Sequence, residues 1–466
     1  MSTPSPEVKG ESFYVAAEKI YPREVVGRFD TLRRAAVVVL LGLYYVLPWI
    51  NWNGRQCVLF DLPARKFHIF ALTLWPQDFI YLSWLLIIAA LALFFFTAVG
   101  GRLWCGYACP QTVWTEAFVW MERLAEGKRA ARMSLDRGPW TIEKVLRKSA
   151  KQVLWISFSL WTGLTFVGYF TPIRTLTVEV AQFALGPWEW FWMLFYGFAT
   201  YGNAGYLREQ VCKYMCPYAR FQSAMFDRDT LIITYDTVRG EPRGSRRRGS
   251  DARAQGLGDC IDCKICVQVC PTGIDIREGL QYECIACAAC IDACDSVMDR
   301  MNYPRGLIRY TTQSALASGR AHVIRPRIVI YGTLLALLAA GFVTALMLRT
   351  PFDLDVLRDR NALYRELEHD TVENVYMARL LNKDEHAHDM AIDVSGPLAL
   401  ELDPPRPVVH VESGAVANVP IRVRTQDHSL ASFGFEVHVQ AVDEPGLEAR
   451  AKARFIQPQH HEDHHD

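Results

Sequence analysis

Five stretches without a charged residue, 35–54, 79–101, 152–173, 191–207 and 328–348, limit what this chain can fold into. In hydrocarbon every backbone amide needs a partner within its own segment, so such runs fold as helices, and about 20 residues suffice to cross a bilayer. Five spans are expected. The fourth run, FWMLFYGFATYGNAGYL, is short and glycine-rich, and Trp188, Trp190 and Trp192 around its start read as an interfacial anchor. A cleavable leader is not expected, because about thirty mixed polar residues precede the first run and that run is too long for one.

Lysine plus arginine equals aspartate plus glutamate, 50 against 50, so the distribution of charge carries more information than its sum. Lys and Arg number six before the first span, three after it, ten after the second, one after the third and eighteen after the fourth. Basic loops stay on the cytoplasmic side. The alternation puts the N-terminus and the segments after the second and fourth spans in the cytoplasm. Everything beyond Leu348 is then periplasmic, as for a bacterial inner (plasma) membrane protein.

Twelve of the thirteen cysteines fall on the expected cytoplasmic side, where thiols stay reduced and free to bind metal; only Cys57 faces out, and it reads as a small packing residue. Cys260, Cys263, Cys266 and Cys270 stand in the spacing C-x2-C-x2-C-x3-C followed by Pro271, and Cys284, Cys287, Cys290 and Cys294 repeat it. This is the two-cluster ferredoxin pattern, in which the fourth cysteine of each run ligates the other cluster. Two [4Fe-4S] cofactors are expected, one on Cys260, Cys263, Cys266 and Cys294, the other on Cys284, Cys287, Cys290 and Cys270. A zinc site would favour two separated pairs, and the compartment argues against disulfides. Asp295 stands where the first run has its proline, which would leave that end more solvated.

A second cysteine set lies at the ends of membrane runs. Cys105 and Cys109 in LWCGYACPQTVW, and Cys212 and Cys216 in VCKYMCPYARFQ, both read C-x3-C-P, and each follows an inward-running span. The second and fourth spans therefore look like related units. Proline suits the first position of a helix, so Cys109 and Cys216 should sit at helix N-termini, where the thiolate is stabilised. Arg102, Lys213 and Arg220 should push the same way. Soft thiolates select Cu(I), so the four cysteines read as a copper site that favours reduction of Cu(II); packing cysteines are the plainer reading.

With LPWINWNGRQCVLFDLPARKFHIFALTLWPQDFIYL, WCGYACPQTVW, CKYMCPYARFQSAMF, the double ferredoxin run, MNYPRGLIRYTT, DVLRDRNALYREL and NVYMARLLNKD, the chain resembles the cytochrome c oxidase accessory protein family of the CcoG/FixG type, the membrane polyferredoxins. The resemblance implies a cupric reductase that supplies Cu(I) for assembly of a cbb-type cytochrome c oxidase, with Cys105, Cys109, Cys212 and Cys216 as the copper-handling thiols. Two other functions stay open. One is a quinol-oxidising electron conduit to a partner, suggested by His68, Trp75 and Asp78 in the aromatic outer loop. The other is a non-catalytic copper-binding assembly factor. Expected partners are the membrane, copper donor and acceptor proteins of oxidase assembly, cbb-type oxidase subunits, a quinol or soluble electron donor and a second copy of the chain; nucleic acid is not among them.

After the last span, period-two stretches such as RPVVHVESGAVANVPIRVRT separated by turn residues predict a small β-sandwich. The resemblance implies that it is immunoglobulin-like. Ten of twelve histidines lie there, four of them in the closing QPQHHEDHHD, a tail that reads as solvated and without a specific role. The arginine-rich 239–258 reads as a flexible tether, suited to lying on anionic lipid.

The expected organisation is a cytoplasmic N-terminal segment (1–34), a four-span membrane domain (35–227), a basic linker (228–258), a two-cluster ferredoxin-like α+β domain (259–310), a fifth transmembrane helix (328–348), an immunoglobulin-like domain (349–457) and a His-rich tail (458–466). The fold class is thus a multi-pass α-helical membrane protein carrying two further domains.

Overall fold

The computed structural model describes residues 19–248, 256–320, 322, 324–360, 362–368, 371–384, 386–444 and 446–458. Residues 1–18 of the N-terminal segment, 249–255 of the linker and 459–466 of the His-rich tail lie outside them. The chain divides into two compact units, one taking the described residues up to Asn51 with Ser83–Ala339, the other Trp52–Leu82 with Ala340 onward.

The first unit is helical. Its chain order is α1 (Arg28–Val46), α2 (Phe79–Gly100), α3 (Leu103–Tyr107), α4 (Pro110–Glu126), α5 (Arg129–Arg137), α6 (Ile142–Val167), α7 (Ile173–Ala181), α8 (Pro187–Thr200), α9 (Pro217–Ala224), α10 (Thr237–Gly240), α11 (Ile265–Val269), α12 (Ala289–Met301), α13 (Gln313–Ser318) and α14 (Pro326–Met347); α2 and α14 also run into the second unit. Among the described residues three helices are long and apolar enough to cross a membrane, Arg28–Trp49, Phe79–Gly100 and Pro326–Met347.

The third and fourth uncharged runs are built differently. The third forms only the C-terminal part of α6, whose first turns carry Glu143, Lys144, Arg147, Lys148 and Lys151, and it breaks after Gly168 before α7 begins. The fourth starts in α8 and widens into a π-helical stretch, Tyr201–Leu207, where Gly202 and Gly205 loosen the backbone. The two helices nevertheless cross closely. A Cβ on Gly163 of α6 would come within 2.1 Å of the Met193 carbonyl oxygen of α8. Small residues permit such an approach, which gains its energy from close packing.

The linker expected to be a flexible tether is instead part of the cluster domain over its described residues. Ile232–Tyr235 pairs antiparallel with Ile308–Thr311, and Gly244 N–H donates to the Cys260 carbonyl at 3.2 Å. Backbone pairing of distant segments overrode the polar, arginine-rich composition from which the tether was read.

In the second unit Glu401–Asp403, Val416–Thr425, Thr371–Asn382 and Phe352–Arg358 form one antiparallel sheet, with Arg365–Leu367 on its edge. Val408–Val411, His388–Ser395, Ser432–Ala441 and Glu448–Ile456 form another. Alternation supplies the core between them, with Phe433, Phe435, Val437, Val439 and Ala441 of one strand turned inward with Tyr376, Ala378 and Leu380 of another. The expected sandwich is present. Residues 52–82 add a three-stranded sheet in the same unit, and Cys57, just ahead of its first strand, is fully buried.

Replacing Gly163 with valine should drive α6 from α8. We expect a loss of at least ~2 kcal/mol, read as a lower unfolding temperature of the detergent-solubilised protein, whereas alanine at Gly42, where a Cβ would meet no atom within 4 Å, should not lower it.

Candidate iron-sulfur and thiol site

Each cysteine run winds through the same backbone device. In the first, Asp262 and Lys264 adopt φ of 51° and 55°; in the second, Ala286 and Ala288 adopt 53° and 60°. Left-handed backbone at non-glycine residues is uncommon and marks a loop held by its surroundings. Two such residues per run curl the three thiols around a common centre, after which α11 and α12 begin.

The two cavities formed in this way hold the expected sets. Cys260, Cys263, Cys266 and Cys294 line one, with Tyr235, Arg277 and Leu307; Cys270, Cys284, Cys287 and Cys290 line the other, with Ile233 and Thr272. The fourth cysteine of each run does cross to the opposite cavity. Cys266 lines both. Burial pushes the thiols of Cys266, Cys284 and Cys294 up to about 12 and raises those of Cys287 and Cys290 as well. Thiols so reluctant to ionise in an apolar wall become ligands only when the bound group brings its own positive charge, and iron does. Four thiols to a cavity in this setting fit a [4Fe-4S] cluster.

The C-x3-C-P cysteines are where proline placed them. Cys109 precedes Pro110 at the start of α4, and Cys216 precedes Pro217 at the start of α9. Cys105 lies in α3, and Cys212 lies in a short π-helical stretch, Val211–Met215. Cys109, Cys212 and Cys216 sit close enough to Cys105 to raise its pKa, and Cys109 and Cys216 likewise raise that of Cys212. Cys105 Sγ lies 3.3 Å from Oε1 of the fully buried Gln222, a neighbour that the spacing gave no reason to single out.

At Cys109 the expected thiolate activation is not found. Burial raises Cys109 despite the backbone N–H groups of Thr112 and Gln111, and it pushes Cys105 up to about 12 and Cys212 up to about 11. Desolvation outweighs the helix end because the motif is packed between α9 and the cluster domain rather than exposed at a surface. Arg102 does pull Cys105 and Cys212 downward, while its Nη1 donates to the Tyr282 carbonyl and, at 3.5 Å, to that of Cys284.

That second contact shows where the motif sits. A Cβ on Gly106 would lie 2.8 Å from the carbonyl oxygens of Ile285 and Ala286, so the backbone between Cys105 and Cys109 presses on the second cysteine loop. Cys105 and Cys212 pack against the buried cluster that includes Ile285 and Cys287. Arg33 of α1 reaches the Cys287 carbonyl at 3.4 Å, and Tyr310 donates to that of Ala286 at 2.5 Å. The amides of Phe29 and Asp30, at the uncapped start of α1, donate to Asp292 at 3.3 and 2.7 Å. Asp292 thus caps from α12 a helix more than 250 positions away in sequence. Neither role was visible in the spacing.

A buried ion network braces the motifs from below. Glu122 meets Lys19 at 3.3 Å, Arg132 at 3.3 Å and Arg208 at 2.8 Å, and both Glu122 and Arg132 are fully buried. Burial opposes its charge, yet Arg208, Lys19 and Arg132 hold the carboxyl down at about 2.

Among the described residues no three His, Cys, Asp or Glu side chains are gathered tightly enough for a single metal ion. The candidates His68, Trp75 and Asp78 are engaged in structure. Asp78 pairs with Arg349 at 2.5 Å and Lys383 at 3.6 Å. His68 bonds Thr73 at 3.0 Å, with burial and the nearby Arg55 and Lys66 lowering it to about 4. Trp75 is buried.

A 4Fe-4S dicluster domain family matches residues 207–313, a 4Fe-4S binding domain family matches 82–128, and the immunoglobulin-like fold at the C-terminus of FixG matches 342–458. The class follows: a membrane-associated iron-sulfur electron-transfer protein with an immunoglobulin-like C-terminal domain. The chain is 42% identical over 415 residues to protein RdxB of Cereibacter sphaeroides, covering 86% of this chain and 87% of that one. It is 39% identical over 420 residues to the nitrogen fixation protein FixG of Rhizobium meliloti, covering 82% and 80%. The chain belongs to the family of FixG, RdxA and RdxB. A FixG-related protein from Vibrio parahaemolyticus, solved as a crystal structure, aligns at 24% identity and a TM-score of 0.20, over 23% of this chain and 98% of that one.

Glu122→Gln would leave Arg132 and Arg208 buried without their counter-charge. We expect a loss of about 3–5 kcal/mol, seen as a lower unfolding temperature of the purified protein, while Glu143→Gln, whose pair with Arg147 is exposed, should cost under ~0.5 kcal/mol.

Proposed function

We propose that the protein reduces Cu(II) to Cu(I) at Cys105, Cys109, Cys212 and Cys216 and that this copper serves assembly of a cbb-type cytochrome c oxidase. The observation that carries the reading is the contact of the motif between Cys105 and Cys109 with the Ile285–Ala286 carbonyls of the second cysteine loop. In it Cys260, Cys263, Cys266 and Cys294 hold one cluster, and Cys284, Cys287, Cys290 and Cys270 hold the other. Such clusters would supply one electron at a time, which is what reduction of Cu(II) consumes, and each thiol that ligates the ion gives up its proton to solvent on binding. The chain's own part is to bind the ion with soft sulfur, which favours the cuprous product, and to keep water from thiols that ionise only when metal arrives. Copper is substrate here, and the four thiols that would bind it come from two related units.

The reading includes five membrane crossings, with α6 and α8 as the third and fourth, the clusters in the cytoplasm and the sandwich in the periplasm. It is supported by the segregation of Lys and Arg. A second reading is favoured by the 4Fe-4S family match over 82–128, which contains Cys105 and Cys109: the four thiols would then hold a further iron-sulfur cluster.

Serine at Cys109 and Cys216 decides between them. Copper handling requires normal iron content and cluster absorbance in the variant, with reoxidation of the reduced protein by Cu(II) slowed at least tenfold. Loss of iron would instead make these cysteines cluster ligands. Serine at Cys263 or Cys287 should lower iron while Cu(I) still binds. For topology, a reporter fused after Leu257 should be active only in the cytoplasm and one fused after Asp355 only outside; the reverse would place the clusters in an oxidising compartment.

A further inference from the structure

We propose that the loop around Cys263 is an electron inlet, docked by a soluble acidic one-electron carrier. The inference rests on the cluster reading above and adds the donor's site and chemistry. Among the described cysteines Cys263 alone is exposed, flanked by the exposed Asp262 and Lys264, whereas every other thiol is buried or half-buried. The way inward is continuous. Cys263 lines the first cavity, Cys266 lines both, and the wall of the second, at Ile285 and Cys287, packs on Cys105 and Cys212.

The charge around this opening selects the carrier. Residues 239–248 are laid on the first cysteine loop, where Arg246 donates to the Cys260 carbonyl at 3.3 Å and to that of Gly258 at 2.7 Å. The acidic groups nearby are already matched, Asp259 by Arg239 at 2.6 Å and Asp262 by Arg277. Glu241 is paired to Arg243 at 3.7 Å, and the exposed Arg243, Arg247, Arg248 and Lys264 outnumber it to form a cationic rim. Such a rim steers a negatively charged protein to the exposed sulfur and repels a basic one. One electron leaves the carrier and one enters the first cluster, with no bond made or broken.

The test uses the full-length, cluster-loaded protein in detergent and a dithionite-reduced acidic [2Fe-2S] ferredoxin as probe, following cluster bleaching by stopped flow. The rate should fall at least tenfold from low to high salt. Arg243→Glu with Arg248→Glu should slow it at least tenfold at low salt and weaken binding of the oxidised ferredoxin by calorimetry, while iron content and bleaching by dithionite alone stay normal. Copper takes no part in these readouts, so the inlet and the cupric reductase stand or fall separately. Unchanged rate and affinity in the variant overturn the proposal. So does a variant that loses only its binding to phosphatidylglycerol vesicles, because the cations would then serve a membrane.

Discussion

The close approach of Gly106 to the carbonyls of Ile285 and Ala286 is the contact on which the rest of the site depends. Without a side chain at that position, the loop after α2 and the second cysteine loop meet backbone to backbone. Any larger residue would force them apart. Arg102, Arg33 and Tyr310 then close over the same carbonyls, so a membrane-derived motif and a ferredoxin-like loop share one wall. An electron that reaches the second cavity has the thiols of Cys105 and Cys212 as its packed neighbours.

Burial sets the chemistry of this arrangement more than local helix electrostatics do. Cys109 receives what a helix start offers and still ionises less readily than a free thiol, because losing water costs the charged form more than amide dipoles return. The consequence is a protective one. Thiols that stay protonated until a cation arrives are poor general nucleophiles and good conditional ligands, which suits both the iron cavities and the membrane-edge set.

Rigidity comes from buried polar contacts between segments far apart in sequence. Asp292 caps α1 from the cluster domain, and Glu122 ties α4 to Arg132 of α5 and to Arg208 just ahead of the second motif. Each carboxylate fixes segments far apart in sequence, and each is buried, so removing one partner leaves the others uncompensated. The small-residue crossing at Gly163 performs the corresponding task for α6 and α8 through shape alone.

The spacing of eight cysteines already determined the two four-thiol sets, because two-residue gaps allow three sulfurs from one turn and force the fourth from elsewhere. Period-two alternation likewise determined the sandwich, and proline after Cys109 and Cys216 determined where helices start. These signals are local, and local geometry obeys them. What the tertiary structure decided is non-local: that 239–248 lies on the Cys260 loop instead of hanging as a tether, that Asp292 caps α1, that Asp78 is committed to Arg349 and Lys383, and that desolvation outweighs the helix end at Cys109. Burial and long-range pairing depend on which surfaces meet, and no spacing along a chain records that.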